Sequence, residues 1–519
     1  MGGATDRSTD VLIIGAGPTG LVLALWLTHL GVRVTIIDRT AQPGTTSRAI
    51  AVQARTLELY RQIDLAKPVV ERGRRAVAAN VWVAGNKRAH IVFGELGANV
   101  SPFPYALIFP QDEHERLLTD RLAALGIEVE HGTELLDFDE AGGSIHARLK
   151  RADGSTGACD ARYLAGCDGA HSSVREKLQL GFEGGTYSHL FYVADAQASG
   201  AAMNGEVHVA LDRADFLAIF PLKADGHARL VGTVRDTAPR PQQDLSWDDV
   251  SERVIGWMGI HVERINWFST YRVHHRVAER FRSGAVFLLG DAAHVHSPVG
   301  GQGMNTGIGD AINLAWKLAA VLHARASPSL LDSYEPERIA FARRLVATTD
   351  QVFTAITSPG TIARVLRLRI VPTLLSLAAR FAALRGFVFR TVSQISLNYR
   401  QSSLSQGRSG AVHGGDRLPW VPGSGNEDNF SPLVSLDWQA HVYGEPSPAL
   451  QTLCEARQLP LHVFAWRAQM RRCGLQRNAL YLVRPDGYVA LADDRARASV
   501  LAHYLDTRKL VPMMKSALP

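Results

Sequence analysis

The chain has 519 residues, of which 46% are hydrophobic and 20% are charged, and its formal net charge is +6. This length is too great for a single hydrophobic core and predicts two to four domains, and the composition is typical of a soluble globular enzyme. The basic excess would fit nucleic-acid binding, but the sequence has no basic run, zinc-finger spacing or aromatic RNA-binding pattern. We therefore interpret it as scattered solvated arginines, whose mild positive field favours anionic cofactors such as NADPH.

The cysteine content indicates the compartment. The chain has four cysteines, in no CxxC pair and in no metal-binding spacing. So few thiols in so long a chain predict a reducing, cytoplasmic location. We also expect no signal peptide, because the first apolar run is broken by glycines and proline, and no transmembrane segment, because no run approaches 18 apolar residues.

The stretch Asp10–Arg39 has the order strand, glycine-rich loop, helix and strand. Val11–Ile14 is an apolar run typical of a buried parallel strand, and the loop Gly15–Gly20, of sequence GAGPTG, follows it directly. Leu21–Leu30 predicts a helix, and the second apolar strand ends on Asp38. This order predicts the first βαβ unit of a Rossmann-type domain.

Each glycine of the loop has a physical role in binding a dinucleotide. Gly15 allows a tight turn out of the strand, Gly17 lets the backbone approach a pyrophosphate, and Gly20 allows close packing of helix on strand. The start of the helix directs free N–H groups at the phosphates. Asp38 lies 18 residues past Gly20 (38 − 20), about where an acid bonds a ribose hydroxyl. The stretch predicts a bound dinucleotide without specifying which one.

Two later strands also end on an acid next to glycine. Ala161–Ala165 leads to Asp168-Gly169, and the apolar run that starts at Ala285 leads to Gly290-Asp291. A glycine-rich loop and a long helix follow the second of these, which again aims free N–H groups at a ligand. Between them, from about residue 184 to 273, short alternating runs predict a mostly antiparallel sheet inserted into the first domain.

The C-terminal third has two predicted parts. Pro359–Phe389 is apolar, helical and rich in arginine; we favour a packed connector, and a membrane-surface helix is the alternative. From about Leu433 the pattern predicts a small α/β domain that ends in the hairpin Tyr481–Val489.

Taken together, these motifs resemble the FAD-dependent aromatic hydroxylases of the para-hydroxybenzoate hydroxylase type, the group A flavoprotein monooxygenases. The C-terminal runs resemble a longer subgroup with a thioredoxin-like domain, which includes phenol hydroxylases, polyketide hydroxylases and rifampicin monooxygenase. The matching segments are Gly15–Gly20, Asp168–Arg175, Gly290–His294, Pro298–Asn305, Asn313–Leu318, Gly415–Pro419 and Leu482–Ala490.

The resemblance implies an α/β fold: a Rossmann-type FAD-binding domain, an inserted antiparallel substrate-binding lobe and a C-terminal thioredoxin-like α/β domain. The last of these lacks a redox CxxC here, which implies a structural or assembly role. The expected ranges are 1–75, 105–183 and 275–355 for the FAD-binding domain, 76–104 and 184–274 for the lobe, 356–410 for connecting helices and linker, and 411–519 for the thioredoxin-like domain.

The resemblance also implies the site. Asp38 is expected on the adenosine ribose and Asp291 on the ribityl chain, while Arg48 and Pro298 are expected beside the reacting flavin as the catalytic residues. No metal is expected, because His294 and His296 have no third ligand with them. The residues expected to bind FAD are Gly15, Gly17, Pro18, Thr19, Gly20, Asp38, Arg39, Arg48, Gln111, Asp168, Gly169, Asp291, Pro298, Gly301, Gly303, Met304 and Asn305.

The implied activity is hydroxylation of a small aromatic substrate, phenolic or polycyclic, through a C4a-hydroperoxyflavin. NADPH or NADH is the transient reductant, O₂ the oxidant, and a homodimer is left open as the assembly. The alternatives are an epoxidase, a Baeyer–Villiger monooxygenase or another flavin oxidoreductase on this fold, and a non-catalytic FAD-binding scaffold. No substrate-deprotonating residue is assigned, although His208, Tyr271, His274 and His275 lie in or near the lobe.

Overall fold

The computed structural model of the chain describes residues 7–42, 44, 49–93, 97, 99–211, 216–234, 245–250, 252–297, 301–357, 370, 382–423 and 427–512. Arg48 and Pro298, both expected beside the flavin, lie outside the described residues. So does most of the predicted helical segment Pro359–Phe389.

Strands make up three main sheets and one small one. The strands are β1 (Arg7–Ile14), β2 (Val34–Asp38), β3 (Ala51–Val52), β4 (Arg74–Ala76), β5 (Ala78–Val83), β6 (Asn86–Val92), β7 (Ala106–Ile108), β8 (Val129–His131), β9 (Glu134–Ala141), β10 (Ser144–Lys150), β11 (Thr156–Gly166), β12 (Phe182–Gly200), β13 (Val207–Leu211), β14 (Phe216–Pro221), β15 (His227–Thr233), β16 (Ile260–Ala278), β17 (Arg282–Ser283), β18 (Val286–Leu288), β19 (His294–Val295), β20 (Gln406–Ser409), β21 (Val412–His413), β22 (Gln439–Tyr443), β23 (Leu461–Phe464), β24 (Leu480–Val483) and β25 (Val489–Asp493).

Helices pack on these sheets and connect them. The helices are α1 (Pro18–His29), α2 (Ala54–Arg61), α3 (Ala66–Arg72), α4 (Gln111–Ala124), α5 (Ser173–Lys177), α6 (Glu252–Trp257), α7 (Gly303–Leu322), α8 (Tyr334–Thr357), α9 (Ala382–Val392), α10 (Pro448–Ala456), α11 (Ala468–Arg472) and α12 (Ala498–Arg508). None of those in the described ranges is both long and apolar enough to cross a bilayer.

The first sheet has a parallel centre. Its order is β17-β18-β11-β1-β2-β8, and the antiparallel pair β9–β10 is attached to β11. β1 runs parallel to β2 and β11, and β11 runs parallel to β18. Ile14 aligns with both Ile37 and Gly166, and Gly166 aligns with Leu288. The carboxyl ends of four strands therefore meet at one edge, which is where open α/β sheets bind ligands.

Helix α1 lies at the centre of the apolar core. Every residue from Leu21 to Leu27 is at most 1% exposed, because the helix is apolar all round and packs on α4 and α7 as well as on the first sheet. Its N-terminal end points to the edge at which the parallel strands end. The core therefore fixes the position of that end.

The second sheet is mostly antiparallel, as the sequence pattern predicts. Its order is β19-β16-β12-β15-β14-β13-β5-β6, and the pair β13–β5 is parallel. β12 and β16 contain 19 residues each and pair along nearly their whole length. One face packs on α6 around Tyr192 and Leu230. The other face carries Phe191 and Tyr271 and is rich in aromatic side chains.

The third sheet has the order β21-β20-β25-β24-β22-β23. β22, α10 and β23 form a parallel βαβ unit, and β24 and β25 continue the sheet in antiparallel fashion. β20, within the segment predicted as a linker, pairs with β25, so the pairing of this sheet starts at Gln406. Trp438 and Leu480 share the apolar core that contains Trp316 of α7.

Candidate active site

The glycine-rich loop after β1 forms an open backbone surface. Gly15 has φ +104°, and a Cβ there would lie 2.4 Å from the Cys167 carbonyl oxygen. A Cβ on Gly20 would lie 2.0 Å from the Gly15 carbonyl oxygen, so both positions exclude larger residues. A Cβ on Gly17, by contrast, would have no atom within 4 Å. The loop is thus tightly held on its inner side and open at Gly17, as the pyrophosphate role predicted for Gly17 requires.

The first turn of α1 faces the same opening. Gly17 is the N-cap and makes no side-chain capping hydrogen bond, and Pro18 follows at the first helical position. The early N–H groups of such a helix have no intrahelical acceptor and are available to an anion. The open loop and the helix end together form a phosphate-sized cradle.

Asp38 closes one end of this cradle. One of its carboxylate oxygens accepts a hydrogen bond from the Ala16 N–H at 2.7 Å. The other accepts from the N–H and the hydroxyl of Thr40, at 2.8 and 2.6 Å. The acid is therefore fixed beside the glycine loop, and the adjacent Arg39 side chain is exposed.

Asp168 presents a carboxylate oxygen that no described residue bonds. Oδ2 accepts from the Ser173 hydroxyl at 3.0 Å and the Val174 N–H at 3.2 Å. Oδ1 is buried and has no hydrogen-bond partner among the described residues. Because an unpaired buried oxygen costs free energy, its geometry favours a ligand that donates a hydrogen bond here. Gly169, with φ +81° and open space where a Cβ would lie, leaves room for such a ligand.

The Gly290–Asp291 turn locks onto the start of α1. Gly290 has φ +56°, and a Cβ there would lie 2.6 Å from the Thr19 hydroxyl oxygen. A Cβ on Gly307 of α7 would lie 2.3 Å from the same oxygen. Two glycines thus let three elements converge on Thr19, and Asp291 is exposed at this convergence.

The N-terminus of α7 is the second free helix end at the site. The Gln302 side chain does not cap it, and Gly303 and the half-buried Met304 begin the helix. The Asn305 side chain is occupied within the protein: its oxygen accepts from the Gln53 N–H at 2.9 Å and the Thr56 hydroxyl at 2.8 Å. Its amide donates to the carbonyls of Ala51 and Gly301. Asn305 therefore fixes the position of the helix end through its side chain.

Comparison with known proteins decides what this cradle holds. A family model described as "FAD binding domain" matches residues 8–349 of the chain. The chain belongs to this FAD-binding family. Its curated relatives include the 6-methylpretetramide 4-monooxygenase of Streptomyces rimosus, 33% identical over 97% of this chain and 94% of that protein. Rifampicin monooxygenase of Streptomyces venezuelae is 32% identical over 75% of this chain and 79% of that protein.

Solved structures agree with this assignment. The structure of the OxyS anhydrotetracycline hydroxylase from Streptomyces rimosus superposes with a TM-score of 0.78 at 28% identity, and the match covers 97% of this chain and 99% of that one. The chain is therefore an FAD-dependent aromatic monooxygenase, and the resemblance inferred from its motifs is confirmed. Its mixed α/β fold is that of the flavin-dependent hydroxylases.

The described residues of this monooxygenase fit FAD. The open backbone at Gly17, the two uncapped helix ends and the unpaired Asp168 oxygen supply N–H donors and a hydrogen-bond acceptor around one continuous edge. The structure brings Asp38, Asp168 and Asp291 to that edge from three different strands. Which atom of FAD each residue contacts stays a prediction, as do the roles of Arg48 and Pro298.

Gln111, expected to contact FAD, is held from two sides. Its N–H donates to the Ala49 carbonyl at 3.1 Å, and its side-chain amide donates to Glu115 at 2.7 Å. Ala49 is the neighbour of Arg48, so this contact fixes the residue next to the predicted catalytic arginine. Burial raises the pKa of Glu115 to about 7, and the negative charges of Asp112 and Asp38 add to the effect.

Glu115 should make the apoprotein less stable as the pH rises. The folded chain binds the Glu115 proton more tightly than the unfolded chain does, so the full stabilisation is present below the ordinary value of 4.5 and is lost up to about pH 7. Glu115→Gln removes this loss and should raise the free energy of unfolding by about 2 kcal/mol more at pH 8 than at pH 5. Urea unfolding of the apoprotein at both pH values measures this.

Glu134→Gln, which changes an exposed carboxyl on β9 of the first sheet, is the control and should show little difference between the two pH values. Equal effects of the two substitutions would contradict the assignment to Glu115.

Asp310 and Arg338 support the site and were missed by sequence reasoning. Asp310 accepts from the Gly290 N–H at 2.9 Å and from His294 at 2.8 Å, and it pairs with Arg338. The Nε2 atom of His294 is thus engaged by the Asp310 carboxylate. A signal existed: α7 is apolar, yet Asp310, Asn313 and Lys317 recur at helical spacing along one face.

The candidate bases of the second sheet either make hydrogen bonds within the protein or are buried among aromatic side chains. The His208 ring accepts from the Trp82 indole N–H at 3.0 Å, and burial lowers its pKa to about 4. His274 bonds the Thr186 hydroxyl, and Tyr271 is buried in the aromatic face. None of these observations identifies a residue that deprotonates a substrate.

Proposed function

We propose that this monooxygenase hydroxylates a multi-ring aromatic compound bound between the flavin and the aromatic face of the second sheet. The observation that carries the proposal is the composition of that face. Phe191 lies 6.4 Å from Phe216 and 6.0 Å from Tyr271, measured between ring centroids. Phe191 and Tyr271 are buried beneath the face, and the partly buried rings of Phe216, Phe220 and Trp267 keep area that a substrate can contact. A broad aromatic surface favours flat rings through dispersion and edge-to-face contacts.

The relatives support the same substrate class. Their names specify 6-methylpretetramide, anhydrotetracycline and rifampicin. The lobe residue Arg229 adds a geometric argument: its buried guanidinium pairs with Asp195 at 2.6 Å and reaches the Ala49 carbonyl at 3.4 Å. This pair joins the second sheet to the segment that follows Arg48. The second sheet and the residue next to Arg48 are therefore linked directly.

When FAD is bound, it would supply the redox chemistry: it accepts electrons from NAD(P)H and activates O₂. The residues of the chain have supporting tasks. Gly17 and the start of α1 hold the pyrophosphate, and Asp38 and Asp291 hold the ribose and ribityl hydroxyls. The free N–H groups at the start of α7 favour negative charge placed beside them by up to ~2 kcal/mol. The aromatic face excludes water from the reacting centre. Arg48 and Pro298 are proposed to lie beside the flavin ring.

A panel of phenols and fused-ring aromatics tests the activity. A matching compound should accelerate NADPH oxidation by the FAD-loaded protein at least about tenfold, because substrate binding in a water-excluded site completes the reactive arrangement. With ¹⁸O₂, one labelled oxygen should appear in the product. Mass spectrometry distinguishes a hydroxylated product from an epoxide or a Baeyer–Villiger lactone.

A protein that binds FAD but oxidises NADPH at the same rate with every aromatic tested would instead be a scaffold. Product that lacks the label would rule out monooxygenation. An excess of H₂O₂ without product, from one compound, means that this compound binds but is not the substrate.

We propose that the C-terminal domain, residues 411–519 with β20 added, is thioredoxin-like. The support is its order of elements: a parallel βαβ unit, an antiparallel hairpin and a final helix, α12. Its two cysteines, Cys454 and Cys473, are unpaired. Its proposed role is structural.

We also propose a cytoplasmic location, supported by four cysteines that form no disulfide in the structure. Assembly as a homodimer stays a prediction, which sedimentation of the FAD-loaded protein tests.

A further inference from the structure

Two sequence motifs with no assigned role meet in one buried joint. The Asn313–Leu318 run lies on α7, and the Leu482–Ala490 run forms the hairpin of the third sheet. The Trp316 indole N–H donates to Asp486 at 3.2 Å. The Arg484 guanidinium donates to Glu337 of α8 at 2.7 and 3.0 Å, and Lys317 donates to Glu337 at 2.9 Å. The C-terminal domain is therefore joined to the FAD-binding domain by buried, directional contacts.

A second set of contacts runs from this joint towards the FAD site. Tyr399 precedes the third sheet, and its ring lies 4.5 Å from the Tyr488 ring of the hairpin. The Arg484 guanidinium lies 5.1 Å from the Tyr399 ring, and the Tyr399 N–H donates to the Gly415 carbonyl at 2.7 Å. Tyr399 is thus held on the C-terminal side by its backbone and by its ring.

The hydroxyl of Tyr399 points to the other side, where it accepts a hydrogen bond from Arg338 at 2.8 Å. Arg338 uses its remaining nitrogens on Asp310, at 2.5 Å, and on the Thr306 carbonyl, at 3.0 Å. The side chains of Tyr399, Arg338 and Asp310 are all buried. A guanidinium bonded along each edge has one orientation, and that orientation fixes the Asp310 carboxylate.

Asp310 is the last step before the cofactor site. Its other oxygen accepts from the Gly290 N–H and from His294, the two residues that flank Asp291 and its turn. Gly290 adopts φ +56° without strain, and the hydrogen bond from its N–H to the Asp310 carboxylate anchors the turn. Asp310 is completely buried and bonded on both oxygens, so a shift of Arg338 is transmitted to the turn.

We propose that the C-terminal domain retains FAD, because Tyr399 positions Arg338, Arg338 positions Asp310, and Asp310 holds the Gly290–Asp291 turn against the cofactor. Tyr399, Arg338 and Asp310 are positioning residues that do not touch FAD themselves. The inference rests on the proposed placement of FAD at this turn.

The test compares Tyr399→Phe with a matched control in the full-length chain. The control is Tyr443→Phe, which also removes a buried hydroxyl that accepts from a side-chain N–H, here from Asn429 at 2.8 Å, but lies in the third sheet away from the path. For each variant, FAD is removed and the apoprotein is divided into two samples. Thermal unfolding of one sample gives the Tm, and titration of the other, folded sample with FAD, followed by flavin fluorescence, gives the FAD affinity.

Tyr399→Phe should weaken FAD binding about tenfold, since it removes one hydrogen bond from a charged donor, and Tyr443→Phe should leave it unchanged. The Tm of the two variant apoproteins should fall below that of the wild-type apoprotein by similar amounts. Unchanged FAD affinity in Tyr399→Phe, or equal weakening in both variants, would overturn the inference. A wild-type protein that does not bind FAD at all would instead overturn the proposed function.

Asp310→Asn is the second variant, because it keeps the shape and removes the charge that orients Arg338. FAD affinity should fall about a hundredfold, more than in Tyr399→Phe. Affinity equal to that of the wild type would overturn the inference, even if the apoprotein is less stable.

Discussion

Replacing Gly17 with alanine should weaken FAD binding strongly and leave the apoprotein folded. Gly17 has φ −72° and ψ 179°, which alanine adopts without strain, and a Cβ there meets no protein atom within 4 Å. The added methyl group would instead occupy the space through which the pyrophosphate approaches the backbone. We expect the FAD affinity to fall at least about a hundredfold, or ~2.7 kcal/mol. Titration of the apoprotein with FAD, beside urea unfolding without FAD, measures both quantities.

Gly20→Ala provides the contrast, since its Cβ would lie 2.0 Å from the Gly15 carbonyl oxygen. The helix or the strand has to move, so the apoprotein itself should lose about 1–3 kcal/mol or more. Gly256→Ala in α6 is the control: the position is open, and FAD binding and folding should both persist. If Gly17→Ala retained the wild-type affinity, the pyrophosphate could not lie over Gly17.

The sequence predicted this part of the site because its signals are local. The apolar run, the glycines at fixed offsets and the terminal acid all lie between Asp10 and Arg39, and each follows from backbone sterics or hydrogen bonding within a few residues. The parallel pairing of β1 with β11 and β2 then brings Asp168 to the loop with no further information. The short strands predicted between about residues 184 and 273 include β13, β14 and β15, which turn residues separate in the sequence.

The long strands and the buried charges have no comparable signal. β12 and β16 continue through register shifts, such as the one between Asp195 and Ala196, and a pattern of strict alternation is lost at each shift. Glu337 and Arg484 are 147 positions apart, and neither residue type predicts burial by itself. Only the packing of the third sheet on α7 and α8 shows that these charges are partners. The sequence thus predicts the cofactor cradle better than it predicts what holds the cradle in place.

Replacing Glu337 should have the largest effect on stability. Its buried carboxylate accepts from Arg484, Lys317, Asn313 and Ser402, and removing its charge leaves two buried cations without that counterion. Breaking a buried ion pair from one side costs about 3–5 kcal/mol, so Glu337→Gln should lower the free energy of unfolding by that amount. Asp112→Asn, which breaks the partly exposed pair with Arg116, should cost less than about 1 kcal/mol.

The pH dependence of the stability loss in Glu337→Gln tests whether Lys317 is one of the buried cations left without a counterion. Burial lowers the pKa of Lys317 to about 8, against 10.5 ordinarily, although the Glu337 carboxylate acts to raise it. A base with a lowered pKa destabilises the folded chain below that value, and the penalty declines as pH rises towards 10.5. The loss in Glu337→Gln should therefore shrink between pH 7 and pH 9.5, and Lys317→Met should relieve part of it at pH 7. A loss that is independent of pH and unaffected by Lys317→Met would mean that the carboxylate matters for its hydrogen bonds alone.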